Sequence, residues 1–209
     1  MITRHSLGVA LLTLAAASVA LATTSSREKQ KEQRPVVTHT AIIKTNLGDI
    51  EVELYGVDAP KTVANFVGLA QKDFYNGILF HRIVPNFVIQ AGDPKTKNPA
   101  LKREWGTGGE SIYGGEFADE LNPQAPSYIA GYQRGVMAMA NHGKNTNSSQ
   151  FFIMLADNGS LAKNYSIFGK VVKGMDVVDK MAATPTNDMA QPNTPIRIES
   201  ITVTQMKEK

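Results

Sequence analysis

The stretch Phe80-His81-Arg82-Ile83-Val84-Pro85-Asn86-Phe87-Val88-Ile89-Gln90-Ala91-Gly92-Asp93 holds two short apolar runs separated by Pro85-Asn86. Runs this short, bounded by turn-forming residues, read as strands. Arg82 lies inside the first run, and the two-residue period of a strand puts His81 on the opposite face. An arginine between apolar neighbours costs desolvation free energy unless it is paired or faces a cleft. Phe87, Gln90 and Asp93 follow on the second run. A second stretch, Met139-Ala140-Asn141-His142-Gly143-Lys144-Asn145-Thr146-Asn147-Ser148-Ser149-Gln150-Phe151-Phe152-Ile153, places Gln150 and Phe152 two apart, on one face of another strand. Together the two stretches supply the parts of a cleft containing an arginine, amides and aromatic rings. They supply no obvious nucleophile–base pair.

Outward from here the pattern repeats. Ile78–Val84, Phe87–Ala91, Val136–Ala140, Phe151–Leu155 and Ile167–Val172 are short apolar runs set apart by Gly, Pro and Asn. Upstream, Ala41-Ile42-Ile43, the turn Asn46-Leu47-Gly48-Asp49 and the alternation Ile50, Val52, Leu54 predict a hairpin. A helix follows, with Asp58 placed to cap it, Pro60 in its first turn, and Val63, Phe66, Val67 and Ala70 on one face. A second short helix is expected over Met175–Ala182. The last strand, Ile196–Gln205, changes parity between Ile198 and Ile201, which predicts a bulge near Glu199-Ser200. Many short strands with two helices indicate an all-β sandwich or barrel. Two long loops, about Asp93–Gly115 and Asn122–Arg134, are long enough to suggest function.

The 209 residues are 42% hydrophobic and 20% charged, with a formal charge of +3 and no cysteine. This is ordinary globular composition. The basic residues are scattered, so no nucleic-acid partner is expected. The missing cysteines exclude disulfides, thiolate metal sites, cysteine nucleophiles and a lipoprotein anchor. The histidines show no metal-ligand spacing, and no metal is expected. Gly106-Thr107-Gly108-Gly109 lacks the Gly-Lys-Ser/Thr of a phosphate loop. Arg4 and His5, the apolar Leu7–Ala22 and the small-residue site Ala20-Leu21-Ala22 have the form of a cleavable signal peptide. The expected organisation is a signal peptide at 1–22, a polar tether at 23–37 and one domain at 38–206. Periplasmic or secreted localisation follows, with no stable membrane insertion after cleavage. An uncleaved anchor is the alternative.

The Phe80–Asp93 and Met139–Ile153 segments closely resemble the signature of the cyclophilins. Gly106-Thr107-Gly108-Gly109-Glu110-Ser111-Ile112-Tyr113-Gly114 is similar to that family's glycine loop, and Phe168-Gly169-Lys170-Val171 to its late strand. The resemblance runs from about Ala41 to Val203. It implies a closed eight-stranded antiparallel β-barrel capped by two α-helices, and peptidyl-prolyl cis/trans isomerase activity on proline-containing polypeptides. It implies no cofactor, and a monomer is expected. By the same resemblance Arg82 is the catalytic arginine, supported by Gln90. Phe87, Phe152 and Leu161 wall the proline pocket, with Met139 nearby. Ala140, Asn141 and Gln150 contact the substrate backbone, and His81 stands close to the arginine.

The chain departs from the family pattern in three places. Ser160 stands where many members have a tryptophan, Tyr165 where they have a pocket histidine, and Val88 where methionine is usual beside Phe87. Weak cyclosporin binding and an altered substrate preference are therefore expected. The alternative reading is a proline-peptide binding module or holdase that uses the same cleft with little turnover. A third reading, a fixed partner in an envelope complex, rests on the tether and the long loops alone.

Overall fold

A computed structural model describes residues 34–207. The expected signal peptide and most of the tether lie outside the described residues. Eight strands appear in chain order: β1 (His39–Thr45), β2 (Gly48–Leu54), β3 (Arg82–Val84), β4 (Val88–Ala91), β5 (Val136–Met139), β6 (Phe151–Met154), β7 (Ile167–Lys173) and β8 (Ile198–Gln205). Three α-helices accompany them, α1 (Pro60–Ala70), α2 (Pro126–Ala130) and α3 (Met175–Ala182), with two short 3-10 helices at Pro94–Lys97 and Pro99–Glu104. The strands form one antiparallel, curled sheet in the order β3-β4-β6-β5-β7-β2-β1-β8.

The expected hairpin is β1–β2, in register from His39–Leu54 to Thr45–Gly48. The predicted bulge is also present. Lys44 pairs with Ser200 and Thr45 with Ile198, so Glu199 is left over.

The expectation of a closed barrel is corrected: the ladder is open between β3 and β8. Ile78–His81, anticipated as the start of β3, do not extend it. The Leu79 N–H faces away from the seam and donates to the Thr96 hydroxyl at 2.9 Å. One bridge, Leu79–Arg197, and backbone bonds such as Phe80 N–H to Ile196 O at 2.9 Å span the seam.

Two further expectations change. α2 was not anticipated within the second long loop. Pro126 opens it and Gly131, at φ 73°, stops it after five residues. Asp58 does not cap α1. Its carboxylate accepts from the Ser127 N–H at 2.8 Å, while Glu120 accepts from Lys61 N–H at 3.0 Å and Thr62 N–H at 2.8 Å. A carboxylate distant in sequence thus satisfies the free donors of the first turn.

The curl of the sheet surrounds the main core. α1 buries Val63, Phe66, Leu69 and Ala70 against it, and α3 buries Val177, Val178 and Met181. Phe66 packs on Tyr75, Phe151 and Phe168 with ring centroids 5.2, 5.7 and 5.4 Å apart. β4, β5 and β6 are buried on both faces. Ile89, Ala91, Met137, Met139, Phe151 and Ile153 point into the main core. The alternate residues Val88, Val136, Ala138, Phe152 and Met154 point outward and form a second cluster with Tyr55, Tyr132 and Ile167. This outward face carries the site.

Candidate active site

Strand register assembles the centre of the site. Arg82 pairs with Gln90, Gln90 with Phe152 and Phe152 with Ala138, in one row across β3, β4, β6 and β5. Residues in such a row have side chains on the same face. The row therefore brings a guanidinium, an amide and a ring side by side. Arg82 Nη1 donates to Gln90 Oε1 at 3.2 Å. Gln90 Nε2 donates to Gln150 Oε1 at 2.9 Å, and Gln150 Nε2 donates to the carbonyls of Gly106 at 2.9 Å and Gly108 at 2.6 Å. Among the described residues no carboxylate forms an ion pair with Arg82. Its charge is left available to a guest.

Beside the row lies a hollow of about 170 Å³. Arg82, Gln90, Ala140 and Asn141 give it a polar side, and Phe87, Val88, Phe152, Leu161 and Tyr165 an apolar one. Each wall residue has a local anchor. Phe87 follows the tight turn in which Asn86 adopts φ 59°, and its carbonyl accepts from Leu155 N–H at 2.8 Å. Leu161 sits on a turn closed by Asn158 Oδ1, which accepts from the N–H groups of Ser160 and Leu161. The Tyr165 ring meets Phe152 edge-on at 5.5 Å. The Asn141 side chain donates to Asn164 O at 2.9 Å, tying together two loops of the rim.

A larger polar hollow of about 520 Å³ adjoins the first. It shares Gln90, Ala140 and Asn141, and adds Gln150 and the glycine loop from Gly106 to Gly109. An extended chain can thus lie across Ala140-Asn141 with one side chain in each hollow.

Ten of the twelve expected site residues line these two hollows, and two do not. Met139 points into the main core because strand alternation sets it opposite Ala138 and Ala140. His81, 3% exposed, lies inward for the same reason and packs beneath Gly106. Neither of its ring nitrogens has a well-placed hydrogen-bond partner. Burial pushes its pKa down to about 4.

Two positioning residues escaped the sequence reading. The Tyr132 hydroxyl donates to Tyr165 O and accepts from Tyr165 N–H, both at 3.0 Å, and so clamps that ring's backbone. Burial raises the Tyr132 pKa to about 12, so the hydroxyl stays protonated. The buried Asn65 of α1 donates to Ser148 O at 2.8 Å and accepts from Ile112 N–H at 2.9 Å. It holds the glycine-loop region to the segment before Gln150. Among the described residues no cluster of His, Cys, Asp and Glu suited to a metal is present, and no helix is long and apolar enough to cross a membrane.

Residues 40–203 match the family model described as cyclophilin-type peptidyl-prolyl cis-trans isomerase. The chain belongs to the cyclophilin family. It is 44% identical over 157 residues to the peptidyl-prolyl cis-trans isomerase-like 1 of Aspergillus fumigatus, covering 75% of this chain and 90% of that protein. It is 44% identical over 156 residues to peptidyl-prolyl cis-trans isomerase ppi1 of Schizosaccharomyces pombe, covering 75% and 93%. A crystal structure of a Cryptosporidium parvum cyclophilin superposes with a TM-score of 0.72 at 34% identity, covering 82% of this chain and 100% of that one. A second crystal structure of that protein, in the presence of the dipeptide Ala-Pro, gives 0.70 at 34% identity, covering 80% and 99%. The activity of this cyclophilin is accordingly peptidyl-prolyl cis/trans isomerisation.

Proposed function

We propose that catalysis takes place where Arg82 meets the 170 Å³ hollow, on X-Pro bonds of flexible polypeptides that have been exported with the enzyme. The observation that carries the site is the row Arg82–Gln90–Phe152, which sets a cation with no ion-pair partner among the described residues beside an apolar slot sized for a small ring. Amide resonance gives the peptide bond a rotational barrier of about 18–20 kcal/mol. Uncatalysed X-Pro isomerisation takes tens to hundreds of seconds. Twisting the bond ends conjugation and leaves the prolyl nitrogen lone pair free to accept a hydrogen bond. A guanidinium donor aimed at that nitrogen binds the twisted state more tightly than either planar one, and that difference lowers the barrier. No bond is broken, so the reaction calls for neither nucleophile nor metal.

Each neighbour then has a task. Phe87, Phe152, Leu161 and Tyr165 grip the proline ring, and Val88 shapes the floor. Gln90 takes one Arg82 donor and orients the rest. The Ala140-Asn141 segment and Gln150 hold the substrate backbone, so that rotation is confined to one side of the bond. The related Cryptosporidium parvum cyclophilin, crystallised in the presence of the dipeptide Ala-Pro, agrees with a proline guest of this size. His81 and Met139 support the site from behind.

Export and a bacterial periplasm are read from the form of residues 1–22, and assistance to folding clients from the isomerase activity; the relatives named above are eukaryotic. Two experiments test these readings. The purified chain should accelerate cis-to-trans conversion of an Ala-Pro peptide, whereas client protection without acceleration would favour the binding-module alternative. Fractionation of expressing bacterial cells should find a chain shortened near Ala22 outside the cytoplasm. A full-length cytoplasmic chain would remove the export reading.

A further inference from the structure

We propose that Asp93 is a positioning residue for Arg82, acting through the backbone of residues 106–108 and two side-chain amides. This rests on the catalytic reading of Arg82. Asp93 lines neither hollow, yet its side chain is fully buried. A buried carboxylate is costly to desolvate unless donors satisfy it. Three backbone donors do: Lys95 N–H at 2.8 Å to Oδ1, and Gly106 N–H at 2.5 Å and Gly108 N–H at 3.2 Å to Oδ2. Charge-assisted bonds of this kind are short and directional. They fix the loop from beneath. The close fit shows at Gly108, where an added Cβ would overlap the Asp93 carboxylate.

The opposite side of the same loop faces the site. The carbonyls of Gly106 and Gly108 both accept from Gln150 Nε2. An amide whose NH₂ group serves two carbonyls has its oxygen turned the other way. That oxygen accepts from Gln90 Nε2, so the Gln90 oxygen in turn faces Arg82 Nη1. Flipping either amide would set donor against donor. The carboxylate thus decides where the loop carbonyls lie, the carbonyls decide how Gln150 is turned, and the two amides decide where the guanidinium rests. Loosening the first link should widen the guanidinium's range of positions. That reduces stabilisation of the twisted state more than binding of the ground state.

The test is a double-mutant cycle on kcat and KM for an Ala-Pro peptide, using Asp93→Asn, Gln150→Ala, their combination and Arg82→Ala. Asparagine keeps the shape of Asp93 but turns a donor toward one set of backbone N–H groups. Asp93→Asn should lower kcat about tenfold with KM within about twofold, and should lower it no more than about twofold further once Gln150 is alanine. A folded Asp93→Asn with normal kcat, a change confined to KM, or losses that multiply in the double variant would each overturn the relay. If Asp93→Asn does not fold, Gly108→Ala disturbs the same junction from the loop side and is judged by the same criteria. An Arg82→Ala variant with full activity would overturn the catalytic reading and the relay together. An inactive Arg82→Ala beside a silent Asp93→Asn would overturn the relay alone.

Discussion

Replacing His81 should change how this protein responds to mild acid. The ring is 3% exposed, and burial pushes its pKa down from 6.5 to about 4. The Asp93 carboxylate, the Leu79 backbone and the Gln150 amide pull weakly the other way, and the Arg82 guanidinium adds to the depression. In the unfolded chain the ring takes up a proton below about pH 6.5, whereas in the folded chain it stays neutral down to about pH 4. The unfolded state therefore binds more protons across that window, and stability falls as pH drops through it. At 1.36 kcal/mol per unit the full swing is about 3 kcal/mol, of which roughly 2 kcal/mol falls between about pH 7 and about pH 4.5. Urea unfolding of the wild type and His81→Asn at those two pH values measures it. The variant starts less stable because packing is lost. The gap between the two proteins should narrow by roughly 2 kcal/mol in acid, since asparagine does not titrate. An equal gap at both pH values would refute a buried neutral imidazole.

Gly92 adopts φ 101°, and an added Cβ would overlap the Ser149 carbonyl. Gly92→Ala should cost at least about 3 kcal/mol, read as a fall in thermal midpoint, and a wild-type midpoint would contradict so close an approach. Ser160 is exposed next to Leu161, at the position of the tryptophan found in many cyclophilins. Cyclosporin should bind weakly and Ser160→Trp should tighten it; sub-micromolar inhibition of the unmodified protein would contradict this.

Much of the site could be read from the sequence because two of its segments resemble those of the cyclophilins; strand alternation alone set Gln150 beside Phe152 and Arg82 opposite His81. The tight turn between β3 and β4 sets the Arg82–Gln90 pair, whereas Gln90 meets Phe152 through the pairing of β4 with β6, strands distant in sequence. Strand parity sets Met139 inward, although its place in a recognisable segment suggested the pocket. What escaped depends on meetings between distant parts of the chain. Tyr132 clamps Tyr165 across 33 positions, and Asn65 reaches Ser148 across 83. Nothing near Tyr132 or Asn65 in the sequence marks these partners. Asp58 had the right type and place to cap α1, but Glu120, 58 positions from Thr62, holds those donors instead. α2 carried its proline and glycine signals, yet five residues are too few to show an apolar stripe. The closed barrel came from resemblance alone; at the seam β3 and β8 form no ladder, and the segment before β3 meets the one before β8 through the single bridge Leu79–Arg197 and its flanking backbone bonds.

The measurement that bears most directly on the role of Arg82 is the rate of Ala-Pro isomerisation by wild type, Arg82→Lys and Arg82→Ala, with folding of each checked by circular dichroism. Losing a preorganised donor of this kind costs about 100- to 1000-fold in kcat. Arg82→Ala should fall in that range, and Arg82→Lys should recover little, because an ammonium lacks the rigid fork that serves Gln90 and the prolyl nitrogen together. A folded Arg82→Ala variant that turns over at the wild-type rate would show that the guanidinium does not stabilise the twisted bond.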